Sequence, residues 1–512
     1  MIGSLRRSSL AGLVWGLLLL DGSASAQSAT ERPPPLEVGL EERVDVRLVL
    51  VDLVVLDRDG RTVPDLDVAD FTVVVSGREL PIHSLDRDCP VGAARDPLPG
   101  KRSKPSPPAS AARPRRLVLV FDYFHMIRGN DTTGAARTFD YVSEMLDKWP
   151  SGGEEHMVVS LGDALRVEAP FTADLGEVRR TVERMRHDRD LYGGNYGRLT
   201  ERRFFDRIAM LFDLLERWEG RKTIVLFSGP FMDDGFHRDP EFKSLSALAT
   251  ATRTAVYPVD TGGLRTSLGP GAPPFGGPPM LRRLANETGG RMTSETNEIG
   301  LAYAKAQRDL GCTYTIGFHD PRPEADRERR LTIHVNERRG LRLVYPQFYV
   351  VRSPEEKRKS LFRTAAMTPE PFESEAVTTD LVLLAPRSSS SWRARLAVEV
   401  RLDPRTWVEP GETWELKGLL RKPNGTVLHS FREELTLPQP DPVTGSRAAV
   451  TLVHELNVRP GRYTVSAVLC DPRAETPLAA TRPVIVAEVP PGATRLRGPI
   501  PSHGAAGIER RE

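Results

Sequence analysis

The stretch RLVLVFDYFHM, Arg116 to Met126, is the tightest constraint in the chain. It is an apolar run that stops abruptly on Asp122, as a buried parallel strand does where it hands over to a loop. Two runs of the same kind follow, TIVLFSG (Thr223 to Gly229) and TAVYPVD (Thr254 to Asp260), with helix-patterned segments between them. This alternation predicts an open α/β sheet. Ligands of such sheets bind beyond the carboxyl ends of the strands, the edge on which Asp122, Ser228 and Asp260 fall.

The segments between the strands carry helical periodicity. Ala136, Phe139, Val142, Met145, Leu146 and Trp149 recur at that spacing before Pro150 and Gly152. Phe204, Phe205, Ile208, Leu211, Phe212, Leu215 and Trp218 form an apolar stripe ended by Gly220. Helices are also expected over 241–253, around Leu281, Leu284 and Ala285, and over 299–310. HMVVSLG and ALRVEAPFT read as strands joined by a turn at Gly162-Asp163, and TYTIGFH as a strand followed by the hairpin RLTIHVN and LRLVYPQFYV turned at Arg339-Gly340.

At 512 residues the chain exceeds one ordinary core, and length alone suggests roughly two to four domains. Lys plus Arg number 71 against 69 for Asp plus Glu, a net charge of +2 that favours neither nucleic acid nor an anionic membrane as partner. Arg6 and Arg7, the apolar stretch Leu10 to Leu20 and Ala24-Ser25-Ala26 read as a secretory signal cleaved before Gln27. The apolar run is short for a bilayer span, so no membrane insertion is expected after cleavage. The expected location is outside the cytoplasm: periplasm, cell envelope or extracellular space. An exported chain with three cysteines, Cys89, Cys312 and Cys470, allows one disulfide. Cys89 with Cys312 is the first choice because both flank the α/β segment; three unpaired thiols is the alternative.

Short alternating runs and turns set the remaining boundaries. The reading is a signal peptide over 1–26, a small N-terminal β module over 36–90, a Pro-rich linker over 91–115 and the α/β domain over 116–320. A β-hairpin extension over 321–352 and a linker over 353–374 come next. LVLLAP, RARLAVEVRL, TWELKGLLRK, GTVLHSFREEL, AVTLVHELNV and RYTVSAVLCD, with turns such as Asn424-Gly425, predict an antiparallel β-sandwich over 375–489. A Gly-, Pro- and Arg-rich tail over 490–512 is expected to be disordered.

Several stretches together carry a family resemblance: VDLVVLDRDGRTVPDLDVADFTVVVSGRELPI, LVLVFD, KTIVLFSG, AVYPVDTGGL, LRRLANETGGRMTSETNEI and DLGCTYTIGFHDP. In this order, residues 44–352 resemble the bacterial (acidobacterial-type) VWFA-related domain of the von Willebrand factor type A superfamily. The resemblance implies a doubly wound, Rossmann-like sheet. In better-known members it also implies a metal-ion-dependent adhesion site, built from Asp-x-Ser-x-Ser after the first strand, a Thr from a later loop and an Asp after the fourth strand. Two hydroxyls in such an octahedral oxygen set leave Mg2+ electron-poor enough to take a partner's carboxylate. Here Asp122 matches, but Phe124 and Met126 stand at the serine positions and Gly229 at the later Asp, with Thr200 a loose counterpart of the Thr.

Three readings of this edge remain open. A rebuilt Mg2+ site would draw on Asp122, Thr200, Asp233 and Asp234, with His125 and Asp131 nearby in sequence. An apolar rim of Phe124, His125, Met126, Phe231 and Phe236 would suit packing on a protein partner or a neighbouring domain; aromatics beside a loop are also ordinary covered core. Asp122 alone would be a strand-end carboxylate accepting loop N–H groups. Catalytic patterns are weak. Asp260-Thr261-Gly262 resembles an aspartic-protease triplet, but such enzymes need two in a β-rich fold. The Gly193–Gly197 loop lacks the Lys and hydroxyl of a phosphate loop. The expectation is a non-enzymatic, exported protein-binding protein, without a cofactor, acting in adhesion or envelope assembly. Metal-dependent binding around Asp122, or a purely structural envelope role, are the alternatives.

Overall fold

The computed structural model describes residues 48–89, 115–126, 133–147, 154–192, 200–229, 231, 238–261, 279–294, 300–321, 324–336, 338–401, 412–436 and 449–491. The signal segment, the Pro-rich stretch 90–114 and residues 492–512 lie outside these.

The first strands are β1 (Leu48–Leu56), β2 (Phe71–Val75), β3 (Arg78–Leu80) and β4 (Ile82–Asp88). Alternation turns Val49, Val51, Leu53 and Val55 of β1 and Phe71, Val73 and Val75 of β2 into one core. Four short strands cannot close that core alone, and the chain leaves it at Cys89 before it is complete.

The α/β domain comes next in sequence. It contains β5 (Arg115–Asp122), α1 (Tyr123–Met126), α2 (Thr133–Asp147), β6 (Glu154–Leu161), β7 (Leu165–Thr172), α3 (Leu175–His187), α4 (Arg189–Tyr192) and α5 (Thr200–Leu215). β8 (Lys222–Ser228), α6 (Asp239–Ala251), β9 (Thr254–Asp260), α7 (Pro279–Glu287) and α8 (Gly300–Leu310) complete it. Its sheet runs β7-β6-β5-β8-β9. All neighbours are parallel except β7, which returns antiparallel beside β6. Leu117, Leu119 and Phe121 of β5 pack with residues of α2, α3 and α8, whereas Val118 and Val120 pack with those of α5, α6 and α7. Burial on both faces is why β5, β8 and β9 read as unbroken apolar runs.

The chain then returns to its first layer with β10 (Thr313–His319), β11 (Arg329–Val335), β12 (Arg342–Val344) and β13 (Phe348–Tyr349). β10 lies between β1 and β4, and β11 pairs with β2, giving two four-stranded sheets, β12-β1-β10-β4 and β13-β11-β2-β3. The lead-in strands and the later strands are therefore one sandwich, not a separate module and a hairpin extension, and the α/β domain is an insertion into it. Only the start of β11 meets β13, while β12 crosses to β1. The chain does so because each half of the sandwich lacks the strands that cover the other. A Cys89–Cys312 disulfide joins the points where the chain departs and re-enters, 223 residues apart in sequence. Beside this seam Arg253 donates from Nε to Asp52 Oδ2 at 3.0 Å, and Thr315 Oγ1 donates to Asp52 Oδ1 at 2.7 Å. Burial pushes the Asp52 carboxyl up, but Arg253, Arg221 and Thr315 together hold it below its ordinary value.

The segment expected as a linker is a helix, α9 (Pro354–Met367), N-capped by Ser353 with Pro354 next and Glu355 and Glu356 in the first turn. Its Leu361, Phe362, Ala365 and Ala366 join the core around α5. Beyond it come β14 (Val377–Ser388), β15 (Ser391–Arg401), β16 (Thr413–Arg421), β17 (Val427–Thr436), β18 (Ala449–Val458), β19 (Gly461–Cys470) and β20 (Leu478–Val486). They form the antiparallel sheets β14-β15-β18 and β17-β16-β19-β20, packed around Trp414, Leu396 and Val465. Leu419, Val468 and Ala479 of this sandwich share the α5–α9 core, so the α/β domain and the C-terminal sandwich are joined by continuous apolar packing. No helix among the described residues is long and apolar enough to cross a membrane.

Two outcomes are expected. Replacing Cys89 and Cys312 by Ser is expected to cost about 2–5 kcal/mol in chemical denaturation, an effect that reductant reproduces on the parent chain; an unchanged midpoint would show that the bond does not form. His156 of β6 is 1 % exposed, and burial pushes its imidazole down to about 4. A base depressed only in the folded state stabilises the fold above pH about 6.5 and loses that contribution as pH falls toward 4, about 3 kcal/mol in all. His156→Leu is expected to flatten this part of the stability–pH curve.

Candidate functional site

The chain runs from the central β5 outward to β6, then returns to β8 on the opposite side. The crevice where α/β sheets receive ligands therefore opens at the carboxyl ends of β5 and β8, between Asp122 and Ser228. Val118 and Val120 face α5, so Asp122, two residues further, faces the same way.

The crevice is closed by its own groups. Asp122 and Ser228 are both fully buried. Ser228 Oγ donates to Asp122 Oδ2 at 2.6 Å, His125 Nδ1 meets the same oxygen at 2.6 Å, and the Phe124 N–H donates to Oδ1 at 3.0 Å. A buried carboxylate needs such donors, and here they come from β8 and from α1. The His125 ring stacks on Phe231 with centroids 3.8 Å apart and meets Phe204 edge-on at 5.4 Å. Its Nε2 is buried and has no hydrogen-bond partner, so no nucleophilic hydroxyl or thiol lies within bonding reach of it among the described residues. Asp260 lies beside Ser228 in register and is buried, and the Thr261 N–H donates to the Ser228 carbonyl at 3.0 Å.

Position 229, where the resemblance would put an acid, has no room for a side chain. A Cβ at this position would stand 2.0 Å from the His125 carbonyl oxygen, so α1 occupies the space that a side chain there would need. With Phe124 and Met126 buried and both Asp122 oxygens engaged, the described residues of this edge do not fit an octahedral Mg2+ shell. No group of three or more His, Cys, Asp or Glu among the described residues is arranged to hold a metal ion. Asp131, Asp233 and Asp234 lie outside the described residues, as does the Gly193–Gly197 loop. Thr200 opens α5, but its side chain is outside them too.

Burial takes Phe124, His125 and Met126 out of the expected apolar rim. Phe124 and Met126 are each 3 % exposed and His125 is 6 % exposed. Because α1 follows β5 directly, it drops Phe124 into the α5 side of the core and Tyr123 and Met126 into the α2 side. Phe231 is half-buried against the same core, and Phe236 lies outside the described residues.

Sequence reasoning did not anticipate that the C-terminal sandwich reaches this edge. Thr426 Oγ1 donates to Asp163 Oδ2 at 3.2 Å, and Arg207 donates from Nη2 to the Asp163 carbonyl at 2.9 Å. Gly425, at φ +87°, brings the Asn424-Gly425 turn so close that a Cβ there would lie 2.2 Å from Ala164 Cβ. The only sequence signal was the turn itself.

Gly229→Asp is expected to destabilise the chain by about 1–3 kcal/mol through overpacking and to gain no Mg2+-dependent stability. Thermal melts with Mg2+ and with chelator check this, and a Mg2+-dependent rise in Tm would contradict it.

No family profile and no curated protein matches the chain. Among solved structures it is similar to BatB from Bacteroides thetaiotaomicron, at 13% identity over 38% of this chain and 96% of that one, TM-score 0.25. It is similar to a von Willebrand factor type A protein from Catenulispora acidiphila, at 12% identity over 48% and 68%, TM-score 0.27. It is also similar to the vWF domain of the type V pili tip protein Mfa5 from Porphyromonas gingivalis, at 10% identity over 38% and 94%, TM-score 0.25. The doubly wound topology given above stands on its strand pairing and helix packing, not on these scores.

Proposed function

We propose that this chain is an exported, non-enzymatic, VWFA-related protein that binds a protein partner without a metal ion, in adhesion or in assembly of the bacterial envelope. The observation that carries the metal-independent reading is the closed network in which Ser228, His125 and the Phe124 N–H take up both oxygens of Asp122. The same network supports a non-enzymatic reading, because it uses the edge carboxylate to hold the fold together. Export rests on the N-terminal sequence pattern.

A purely structural envelope role is the second reading. It is favoured by the burial of Phe124 and Met126 and by the Asn424-Gly425 turn seated on the β6–β7 turn. A pull-down from envelope extract, run with Mg2+ and with chelator, separates the readings. The same protein is expected to be captured in both conditions. Release by chelator, repeated by Asp122→Asn in a chain of unchanged Tm, would overturn metal independence in favour of a rebuilt site around Asp122. Capture in neither condition would favour the structural role.

A further inference from the structure

The β6–β7 turn, the α3–α4 junction, the end of α9 and the sandwich strands β16 and β19 enclose a cleft of about 860 Å³. That is the size of a small-molecule site, for which about 300–1,000 Å³ is usual. Six Arg and Lys side chains line it against three carboxylates. Arg166 is already committed to Glu168 and Asp188, and Arg184 to Glu168. The others are not. Arg189 of α4, Lys422 after β16 and Arg462 of β19 are exposed and have no ion-pair partner among the described residues.

The fourth uncommitted cation is Arg421, only 5 % exposed. It donates to the Met367 carbonyl at 2.5 Å and to Ser466 Oγ at 2.8 Å, its Nε has no partner, and no carboxylate among the described residues lies within ion-pair distance. Glu370, on the same cleft, acts on it only from beyond ion-pair distance, so a buried guanidinium hydrogen-bonded to neutral acceptors keeps part of its charge uncompensated in a low-dielectric wall. Arg189, Lys422 and Arg462 line the same space, and the six cations outnumber Asp188, Asp190 and Glu370, a positive excess that concentrates the opposite charge. Only a ligand with more than one anionic group meets cations so distributed.

We propose that this cleft binds a small polyanion, a ligand carrying two or more phosphate or carboxylate groups, between the α/β domain and the C-terminal sandwich. This is independent of how the edge at Asp122 binds a partner. Inorganic pyrophosphate and citrate, titrated calorimetrically into the full chain at low ionic strength, distinguish the two anion chemistries. One or both are expected to bind at a single site and to raise Tm, since a ligand of the folded state stabilises it. Lys422→Glu with Arg462→Glu is expected to weaken binding at least tenfold. Arg78→Glu with Arg137→Glu, the same charge change at exposed positions elsewhere, is expected to leave it intact. Should the first pair fail to fold, Lys422→Gln with Arg462→Gln gives the same comparison. Three results overturn the proposal: neither probe binds, both variant pairs weaken binding alike, or only an oligoglutamate peptide binds, which would mark an acidic polypeptide site.

Discussion

A carboxylate with no access to water, at the carboxyl end of the central strand, governs the whole upper edge of the α/β domain. Asp122 must have its charge satisfied by fixed donors, because the protein interior offers no substitute for hydration. Its donors are the Ser228 hydroxyl, the His125 ring and the Phe124 N–H. Meeting that need draws α1 across the end of β8, leaves room at position 229 for glycine alone, and sets the His125 ring against Phe231. The topology that makes a crevice in other sheets of this kind here makes a sealed joint.

The strands of the α/β sheet were legible because burial on two faces leaves a nearly continuous apolar run, and because each run ended on a polar residue at the edge. The sandwich strands were legible through alternation. What alternation cannot supply is the partner. β1 and β10 each read as a strand, yet nothing local tells that they pair across an inserted domain. α9 escaped notice because its apolar side is narrow; the Ser-Pro-Glu-Glu start was the available signal. β5 ends on Asp122 and β8 on Ser228, where the apolar runs of the sequence end, and α1 carries His125 beside them. The same residues did not reveal that a helix of one turn would bury Phe124 and Met126, since an aromatic after a strand end has the same letter whether it faces solvent or core.

Electrostatics divides the molecule in a way that net charge hides. At the seam with the first sandwich, Asp52 and Arg253 compensate each other closely. At the other seam, Arg352 is satisfied by Asp213 and Glu216, and Lys357 by Glu216. Arg421, in the same region, has only a carbonyl and a hydroxyl. A chain whose charges nearly cancel thus holds, among its described residues, a buried cation on which the Glu370 carboxylate acts only at longer range.

The disulfide at the base of the insertion has a mechanical meaning. Tension applied between the two ends of the chain passes from β4 through the Cys89–Cys312 bond directly into β10. In the covalent path the α/β domain hangs from that bond as a side loop, so load reaches it only through non-covalent contacts such as Asp52–Arg253 and the α5–α9 core. Under tension those contacts, and not the strands of the doubly wound sheet, are the first link between the domain and the rest of the chain.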